Sequence, residues 1–420
     1  MGRILRLSGW ACLAVGVLAL PSAAEDDQLR EELDKLRQEV HVMRSAMLEK
    51  EIDGYLDDQP EWTAQGGGGL SGVTITAAFT TVTQGALDVL PEDTNATDGD
   101  VDINFDFAVT DNLLLWIHMT ANNGNGPSFP SSLGAATYSG VTDGIGLNGT
   151  VSVNPGAVAL NSAGIKSSNQ VGNATLHWEM GKIDPRTRYN LNRFADDENT
   201  QFIHNQFDDT SAVLWLTDST GRTVLGWNFW LNFGDNEQYT LTWGWFNTPG
   251  RFFDRGLFLI EFRWKTEAQG REMNLSIMGY IQEFFRDATM DGTSGGGVSW
   301  DWMLRDDIGV FVRIVVDGGD VNAVELDASF GFVFNGPIDS RPDDVLGVAF
   351  GFIGANDTVV GTVVEDSEFT IEVYYKYVRE NGKLQITPHV MYVSDPGGGS
   401  QGSFATDSIF ILGIRIFVPF

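Results

Sequence analysis

The stretch IGVFVRIVVD, residues 308–317, decides the fold class of this chain. Every second residue from position 308 to position 316 is Ile or Val, and the positions between them carry Gly309, Phe311, Arg313 and Val315. A period of two is typical of a β-strand, because successive side chains of a strand point to opposite faces of the sheet. The stretch is therefore predicted to be a strand with one apolar face and one mixed face.

The same alternation continues along most of the chain. It is clearest in residues 101–109, 258–265, 369–377 and 410–420. Over the whole chain the alternation predicts 16 to 18 strands. They lie near residues 72–84, 100–110, 112–121, 146–165, 174–183, 211–217, 223–233, 238–247, 256–266, 272–283, 297–304, 307–317, 323–335, 344–354, 368–379, 383–393 and 408–420.

Two architectures produce strands of this kind. A soluble sandwich buries the apolar faces in a core, whereas a membrane barrel turns them toward lipid and keeps the polar faces around water. Strand lengths near those of tilted membrane strands, aromatic residues such as Trp243 and Phe252 near strand ends, and a terminal Phe420 favour the barrel. We predict an all-β fold, a transmembrane antiparallel barrel of about 16 strands that encloses an aqueous channel.

The first 69 residues follow other patterns. Residues 1–24 have a basic start and a short apolar run, as in a secretory signal peptide. Residues 25–56 are predicted to form a periplasmic coiled-coil helix for self-assembly, with a solvated amphipathic helix as the alternative. Residues 57–69 are a Gly/Pro linker, and residues 70–420 form the barrel. The heptad seam of the coiled coil consists of Leu29, Leu33, Leu36, Val40, Met43 and Met47.

Composition excludes several classes of function. The formal net charge of −31 argues against nucleic acid as a partner, because phosphate binding needs clustered Lys and Arg. The same charge predicts that the mouths of a channel would attract cations and repel anions. The five His residues are scattered without metal-ligand spacing, and we find no nucleophile motif. No metal, cofactor or enzymatic activity is predicted.

The inward faces of the predicted strands collect charges of both signs. Opposite charges across a pore create a transverse field, and hydroxyl-rich solutes can replace the ordered water there by hydrogen bonding to the charged groups. The alternative is a solvated wall without solute preference. The candidates for lining the channel are Glu179, Glu261, Arg263, Arg313, Glu372 and Arg415, with Asp102, Asp106, Lys265, Asp327 and Lys376 on the same faces. Three inward aromatics, Trp116, Tyr280 and Tyr374, are predicted to stack on sugars, with barrel packing or subunit contact as the alternatives.

Three stretches resemble the carbohydrate-selective porin (OprB) family. They are GKIDPRTRYNLNRFADDENTQF at residues 181–202, the stretch at residues 305–350, and residues 368–399 followed by FILGIRIFVPF at 410–420. The resemblance implies a 16-stranded outer-membrane channel, usually trimeric, that passes sugars by diffusion. It also implies that the segment after Gly181 narrows the pore. The constriction candidates carried over are Lys182, Asp184, Arg186, Arg188, Arg193, Asp196, Asp197 and Glu198.

The sequence thus predicts a porin in the outer membrane of a two-membrane envelope. Its predicted partners are small hydrophilic solutes, especially sugars, outer-membrane lipid, and further copies of the chain in a homotrimer. Cell-wall contact through the coiled coil is a further prediction. Two alternatives stay open, a general non-selective porin and a structural anchor whose coiled coil contacts the wall. A secreted β-rich sugar-binding protein, which would need no detergent, is a third.

Overall fold

The computed structural model describes most of the chain after residue 71. The described residues are 72–87, 94–122, 158–208, 210, 212–213, 224–247, 255–284, 292–319, 324–356, 367–379, 382–395 and 408–420. The predicted signal peptide, coiled coil with its heptad seam, and linker lie outside these residues and stay predictions. Within the described part, no helix is long and apolar enough to cross a membrane.

Sixteen antiparallel strands form one closed barrel, which confirms the predicted fold class. Each strand pairs with its neighbours in the chain, and β1 pairs with β16 to close the cylinder. The strands are β1 (Val73–Leu87), β2 (Thr94–Thr110), β3 (Leu113–Asn122), β4 (Val158–Val171), β5 (Ala174–Ile183), β6 (Val224–Phe233), β7 (Tyr239–Asn247), β8 (Arg255–Ala268), β9 (Arg271–Phe284), β10 (Thr293–Arg305), β11 (Ile308–Asp317), β12 (Val324–Asn335), β13 (Val345–Ala355), β14 (Glu368–Arg379), β15 (Leu384–Ser394) and β16 (Ser408–Pro419).

Two predicted strands need correction. The strand predicted at residues 211–217 is not found at its two described residues, because Ala212 and Val213 lie in a turn, and β5 pairs directly with β6. Both residues are buried in an apolar cluster inside the barrel, so the local apolar pattern reflects burial rather than a strand. The strand predicted at residues 146–165 corresponds to β4, which begins at Val158. Residues 146–157 lie outside the described ranges.

Alternation along each strand separates an outward apolar face from an inward face. On β11, Ile314 and Val316 are 45% and 49% exposed, whereas Arg313 and Val315 are 2% and 0% exposed. Pairing carries this division around the barrel, because residues directly opposite each other on neighbouring strands share a face. An exposed apolar band of this kind is typical of a barrel in lipid.

Short and long connections alternate along the chain. Connections after even-numbered strands are short except for residues 336–344 after β12; an example is the two-residue turn Asp111-Asn112 after β2. Connections after odd-numbered strands are generally longer, and residues 184–223 after β5 are among the longest. All short turns therefore lie at one end of the barrel and the longer segments start at the other end.

The turn between β12 and β13 is fixed by one buried carboxylate. Asp344 accepts hydrogen bonds from Arg341 (Nη2 to Oδ1, 2.8 Å), from the Tyr375 hydroxyl and from the Val378 amide (3.0 Å). The Arg341 guanidinium also lies 3.7 Å from the centre of the Tyr377 ring. Burial alone would raise the pKa of Asp344, but these hydrogen bonds outweigh it and lower the pKa to about 2.

We expect Asp344→Asn to lower the free energy of unfolding by about 2 kcal/mol, because an amide replaces a carboxylate that accepts several hydrogen bonds. Because the folded pKa is depressed, the contribution is present above the unfolded value near pH 4 and is lost as the pH falls toward 2. Heat-induced unfolding followed by circular dichroism measures it. Asp339→Asn, an exposed position in the same turn, is the control. Equal melting of the two variants would contradict the prediction.

Candidate functional site

The connection after β5 folds into the barrel instead of leaving it. We call residues 184–213 the inner loop; positions 209 and 211 within it lie outside the described residues. It begins with a 3₁₀ turn at Pro185–Thr187, where the Asp184 carboxylate accepts from the Arg186 amide at 3.0 Å. A single helical turn, α1 (Asn205–Asp208), follows later in the inner loop. Pro185 suits the first position of the 3₁₀ turn, because the N–H that proline lacks would have no partner there.

Aromatic side chains of the inner loop form its core against the wall. Phe202 and Phe207 are fully buried, with ring centroids 5.4 Å apart. Phe202 also contacts Phe311 of β11 at 5.8 Å and Tyr374 of β14 at 4.9 Å. Tyr374 is therefore covered by the inner loop and packs against it, which corresponds to the packing role among the alternatives given for it.

Inward glycines of the wall receive side chains of the inner loop. A Cβ placed on Gly309 would lie 2.3 Å from the Phe194 ring, so the ring rests directly on the β11 backbone. A Cβ on Gly351 of β13 would overlap the side-chain amide of Gln206 in the same way. Only glycine permits such close approach. The inner loop is thus fitted to this wall by shape as well as by charge.

The first part of the inner loop is bound by the charges of β5 and β8. The Arg188 guanidinium contacts Glu179 (Nε to Oε1, 3.2 Å). The Glu261 carboxylate accepts a hydrogen bond from the main-chain N–H of Asn190 at 2.6 Å and another from Nη2 of Arg263 at 2.7 Å. These carboxylates are buried, so the loop groups replace water as their hydrogen-bond partners.

The next contact is made by a loop cation. The Arg193 side chain donates to Asp301 of β10 (Nη2 to Oδ1, 2.7 Å) and to Glu272 of β9 (Nη1 to Oε2, 2.5 Å). Asn274 of β9 also donates to Asp301 at 3.0 Å. Since both Arg193 and Asp301 have almost fully buried side chains, this is an internal ion pair and not a group lining the lumen.

Arg313 of β11 binds the main chain of the inner loop. Its Nη1 donates to the carbonyl of Phe207 at 2.8 Å, and its Nη2 donates to the carbonyls of Asn190 at 3.0 Å and Ala195 at 2.7 Å. The Asp196 carboxylate lies 3.3 Å from the same Nη2. Two stretches of the loop that are distant in sequence are therefore joined to one guanidinium.

Glu372 of β14 binds two consecutive amides of the loop. Ile203 N and His204 N donate to its two carboxylate oxygens at 2.8 and 2.9 Å. Burial lowers the pKa of His204 to about 3, so its ring is neutral at physiological pH. The ring Nδ1 of His204 accepts a hydrogen bond from the main-chain N–H of Gln206 at 3.3 Å. The ring proton is therefore assigned to Nε2.

The apex of the inner loop reaches β16 and β1. Arg415 of β16 donates to the carbonyls of Glu198 at 2.5 Å and Gln201 at 2.9 Å. Thr80 of β1 donates to the Asn199 side chain at 2.7 Å. The loop therefore crosses the lumen from β5, and its apex lies beside β16 and β1, the two strands that close the barrel.

The wall charges predicted to line the channel are on the inward face, as expected, but the inner loop covers them. They are buried and bind the loop: Glu179, Glu261, Arg263, Arg313, Glu372 and Arg415. Tyr280 is also buried, and its hydroxyl donates to the carbonyl of Ala212 at 2.9 Å. The polar face of these strands thus positions the loop, and the loop stands between most of it and the lumen.

Lys182 is a second constriction candidate that needs correction, after Arg193. It shares a face of β5 with Met180, which is 49% exposed on the outer surface. Its Nζ donates to the carbonyl of Leu160 at 2.7 Å. Gly181, with a φ of 154°, precedes it, and the strand alternation turns Lys182 away from Glu179. Its predicted role in the constriction is therefore corrected.

Among the described residues, half-exposed inward side chains mark an opening between the inner loop and the inward faces of β2, β3 and β4. Asp102 of β2 is 22% exposed and contacts His118 of β3 (Oδ1 to Nε2, 3.1 Å), which is 31% exposed. Thr120 donates to the same Asp102 oxygen at 2.5 Å. The half-exposed inward residues of these strands are Asp102, Asn104, Asp106, Trp116, His118, Ser162 and Lys166. We call this space the opening.

The loop side of the opening carries charges of both signs. Arg186 forms a two-pronged pair with Asp184, with contacts of 3.0 and 2.8 Å. Asp197 caps the apex turn by accepting the Asn199 amide at 2.9 Å. Glu198, the next residue, is half-buried. Burial raises the pKa of the Glu198 carboxyl to about 7, helped by the neighbouring charge of Asp197 and opposed by Arg186.

The loop aromatics and the wall glycines were missed as docking elements. Tyr189, Phe194, Phe202 and Phe207 recur within a segment that is otherwise polar. Large apolar side chains in a long polar connection are a signal of packing, because a solvated loop gains nothing from them. Among the residues that the structure describes, no group of three or more His, Cys, Asp or Glu could hold a metal ion.

Comparison with known proteins gives a consistent assignment. The profile of the "Carbohydrate-selective porin, OprB family" matches residues 63–420. Porin B of Pseudomonas aeruginosa is 27% identical over 132 residues, which cover 27% of this chain and 28% of that protein. The high-pH structure of Pseudomonas putida OprB superposes with a TM-score of 0.66 at 15% identity, covering 83% of this chain and 94% of that one. Its low-pH structure gives 0.54 at 14% identity, with coverage of 83% and 93%.

Proposed function

The chain belongs to the carbohydrate-selective porin (OprB) family of outer-membrane channels, which are not enzymes, and from this premise we propose that neutral sugars diffuse through the opening beside the inner loop. The observation that carries the proposal is the mixture of groups around the opening. Carboxylates accept hydrogen bonds and the Arg186 guanidinium donates them, whereas each sugar hydroxyl does both. A sugar can therefore exchange its water for these groups as it passes.

Asp102 is proposed as a sugar-contacting group of the wall. His118 and Thr120 hold its Oδ1 from one side, which fixes the carboxylate while it stays partly exposed. A group held in this way loses little rotamer freedom when a solute binds, and such preorganisation strengthens weak contacts. The role of Arg186 across the opening is similar, because Asp184 fixes its orientation.

We expect Asp102→Asn to weaken the block of the open channel by a monosaccharide about tenfold, because hydrogen bonds to a charged group are worth roughly 1.5–3 kcal/mol. The measurement is single-channel conductance in a planar bilayer, titrated with the sugar. Asp111→Asn, an exposed carboxylate on the turn after β2, is the matched control. Steps in conductance without any saturable block by sugars would leave a general porin instead.

We further propose that the channel favours cations and that the chain works as a homotrimer. The formal net charge of −31 and the acidic groups at the opening support the first statement, since among the described residues placed there Arg186 and Lys166 are the only Arg and Lys. The heptad seam from Leu29 to Met47 supports the second. Residues 1–24 are proposed as the signal peptide, 25–56 as a periplasmic coiled coil and 57–69 as the linker to the barrel.

A structural anchor is the second candidate, motivated by the same seam. In that case the coiled coil would contact the cell wall and the barrel would only hold it in the membrane. Deleting residues 25–56 separates the two functions. A porin keeps its solute uptake after the deletion, whereas an anchor loses envelope integrity and its purified barrel need not conduct.

A further inference from the structure

We propose that Arg313, together with Glu372 as its anionic counterpart on β14, acts as a positioning residue that sets the width of the opening. Neither side chain is aimed at the solute path, because both are buried beneath the inner loop. Arg313 reaches three loop carbonyls, and Glu372 reaches two loop amides. The pair therefore fixes the course of the loop through its main chain.

The contacts of Arg313 join both flanks of the inner loop. Asn190 and Ala195 belong to the strand-to-apex half, and Phe207 belongs to the returning half at α1. A guanidinium has several N–H donors in a rigid fork, and the three carbonyls use this geometry. Lysine offers a flexible point charge and cannot reproduce the arrangement. Loss of the guanidinium would leave buried carbonyls without a donor, so the two halves would no longer be held together.

The neighbours of Arg313 on the wall are small, which leaves room for this reach. Ser299 of β10 and Ser329 of β12 lie directly opposite it on the two adjacent strands. Gly351 follows in the same row on β13. The row thus holds one long side chain between short ones, and the guanidinium extends toward the loop instead of along the wall. The wall is built around this contact, which supports a dedicated role for it.

The effect on the opening follows from the position of the loop apex. Glu372 holds the main chain at Ile203 and His204, a few residues beyond the apex that carries Glu198. Arg313 holds the segments on both sides of that apex. Moving them changes the distance between the apex charges and the β2–β4 wall. Arg415 holds the apex itself, and Arg313 and Glu372 fix the segments that lead to and from it. The width of the opening, and with it the discrimination by solute size, then depends in part on two residues that never touch a solute.

The test uses the full chain in planar bilayers and in liposomes. We expect Arg313→Met to raise the single-channel conductance in salt about twofold or more, because the loop leaves its seat and the open area grows. Arg313→Lys should fall between the wild type and Arg313→Met. In liposome swelling, the preference for a pentose over a disaccharide should shrink in the same order. Arg305→Met removes the same charge at the last residue of β10, where the side chain is 66% exposed, and should leave both readouts unchanged.

A purely structural role predicts a different result. Destabilising the barrel lowers the fraction that inserts but leaves the conductance of each inserted channel unaltered. Normal conductance and normal size discrimination in folded Arg313→Met would overturn the proposal. If that variant does not insert, Glu372→Gln decides, with the same widening expected and normal conductance as the contrary result. Salt conductance does not depend on sugar preference, so failure here is distinguishable from failure of the sugar proposal on which the swelling readout rests.

Discussion

We expect Gly309→Val to raise the single-channel conductance about twofold or more and to remove most of the block by sugars. A Cβ at this position would lie 2.3 Å from the Phe194 ring, which is itself buried. Overpacking a buried site costs roughly 1–3 kcal/mol. A rigid ring cannot bend away as the end of a flexible side chain can. The relief comes from moving the loop segment around Phe194 off the wall, which widens or disorders the opening.

Gly279→Val is the matched control for this change. Gly279 lies on β9 in the middle of a strand, and a Cβ there has its nearest neighbour, the Ile260 side chain, at 3.8 Å. The same valine is therefore added to a strand glycine without a clash and on the outward face. Conductance and sugar block measured side by side separate loss of loop seating from the general cost of changing a strand. Wild-type conductance in a folded Gly309→Val channel would mean that Phe194 does not seat the loop.

The fold was readable from the sequence because the strand period is two. In residues 308–317 the alternation assigns each side chain to a face without knowledge of its partners. The structure confirms that division, with Arg313 inward and Ile314 outward. Closure of the barrel then follows from strand number and from the need to leave no open edge in lipid.

The strand predicted at residues 211–217, which is absent at Ala212 and Val213, shows a limit of prediction from apolar alternation. Ala212 and Val213 are buried within the barrel beside Leu257, Met278 and Tyr280. Part of the lumen is therefore filled with an apolar core rather than water. Alternation distinguishes two faces, but an apolar face can meet lipid or an interior core with the same residues. Nothing in the local sequence separates these two environments.

The role of the wall charges could not be predicted from the local sequence either. Their inward direction was predicted correctly, whereas their burial under the inner loop depends on contacts between distant residues. The hydrogen bond from Arg313 to Ala195 spans 118 positions in the chain. Such a contact exists only once the barrel has closed around the loop. The glycines opposite Phe194 and Gln206 carried the missing signal, since inward glycines in strands often mark close approach of another segment.

We expect the cation preference of the channel to rise between about pH 6 and pH 8, and Glu198→Gln to abolish this rise. Burial raises the pKa of the Glu198 carboxyl to about 7, and the Asp197 charge adds to the effect. Arg186 opposes the shift, and Asp102 on the β2 wall raises it slightly. The group is therefore largely neutral below pH 6 and negative above pH 8. A new negative charge on the apex of the inner loop, beside the opening, attracts cations and repels anions.

The reversal potential in a salt gradient, recorded across this pH range, measures the change directly. The sign follows from the acid itself: protonation removes negative charge, so cation preference must fall as the pH falls through 7. Glu325→Gln is the control, because it removes an equal charge from an exposed position on β12 away from the inner loop. That variant should retain the pH step with a small uniform offset. A step of the same size that survives in Glu198→Gln would contradict the assignment of the titration to Glu198.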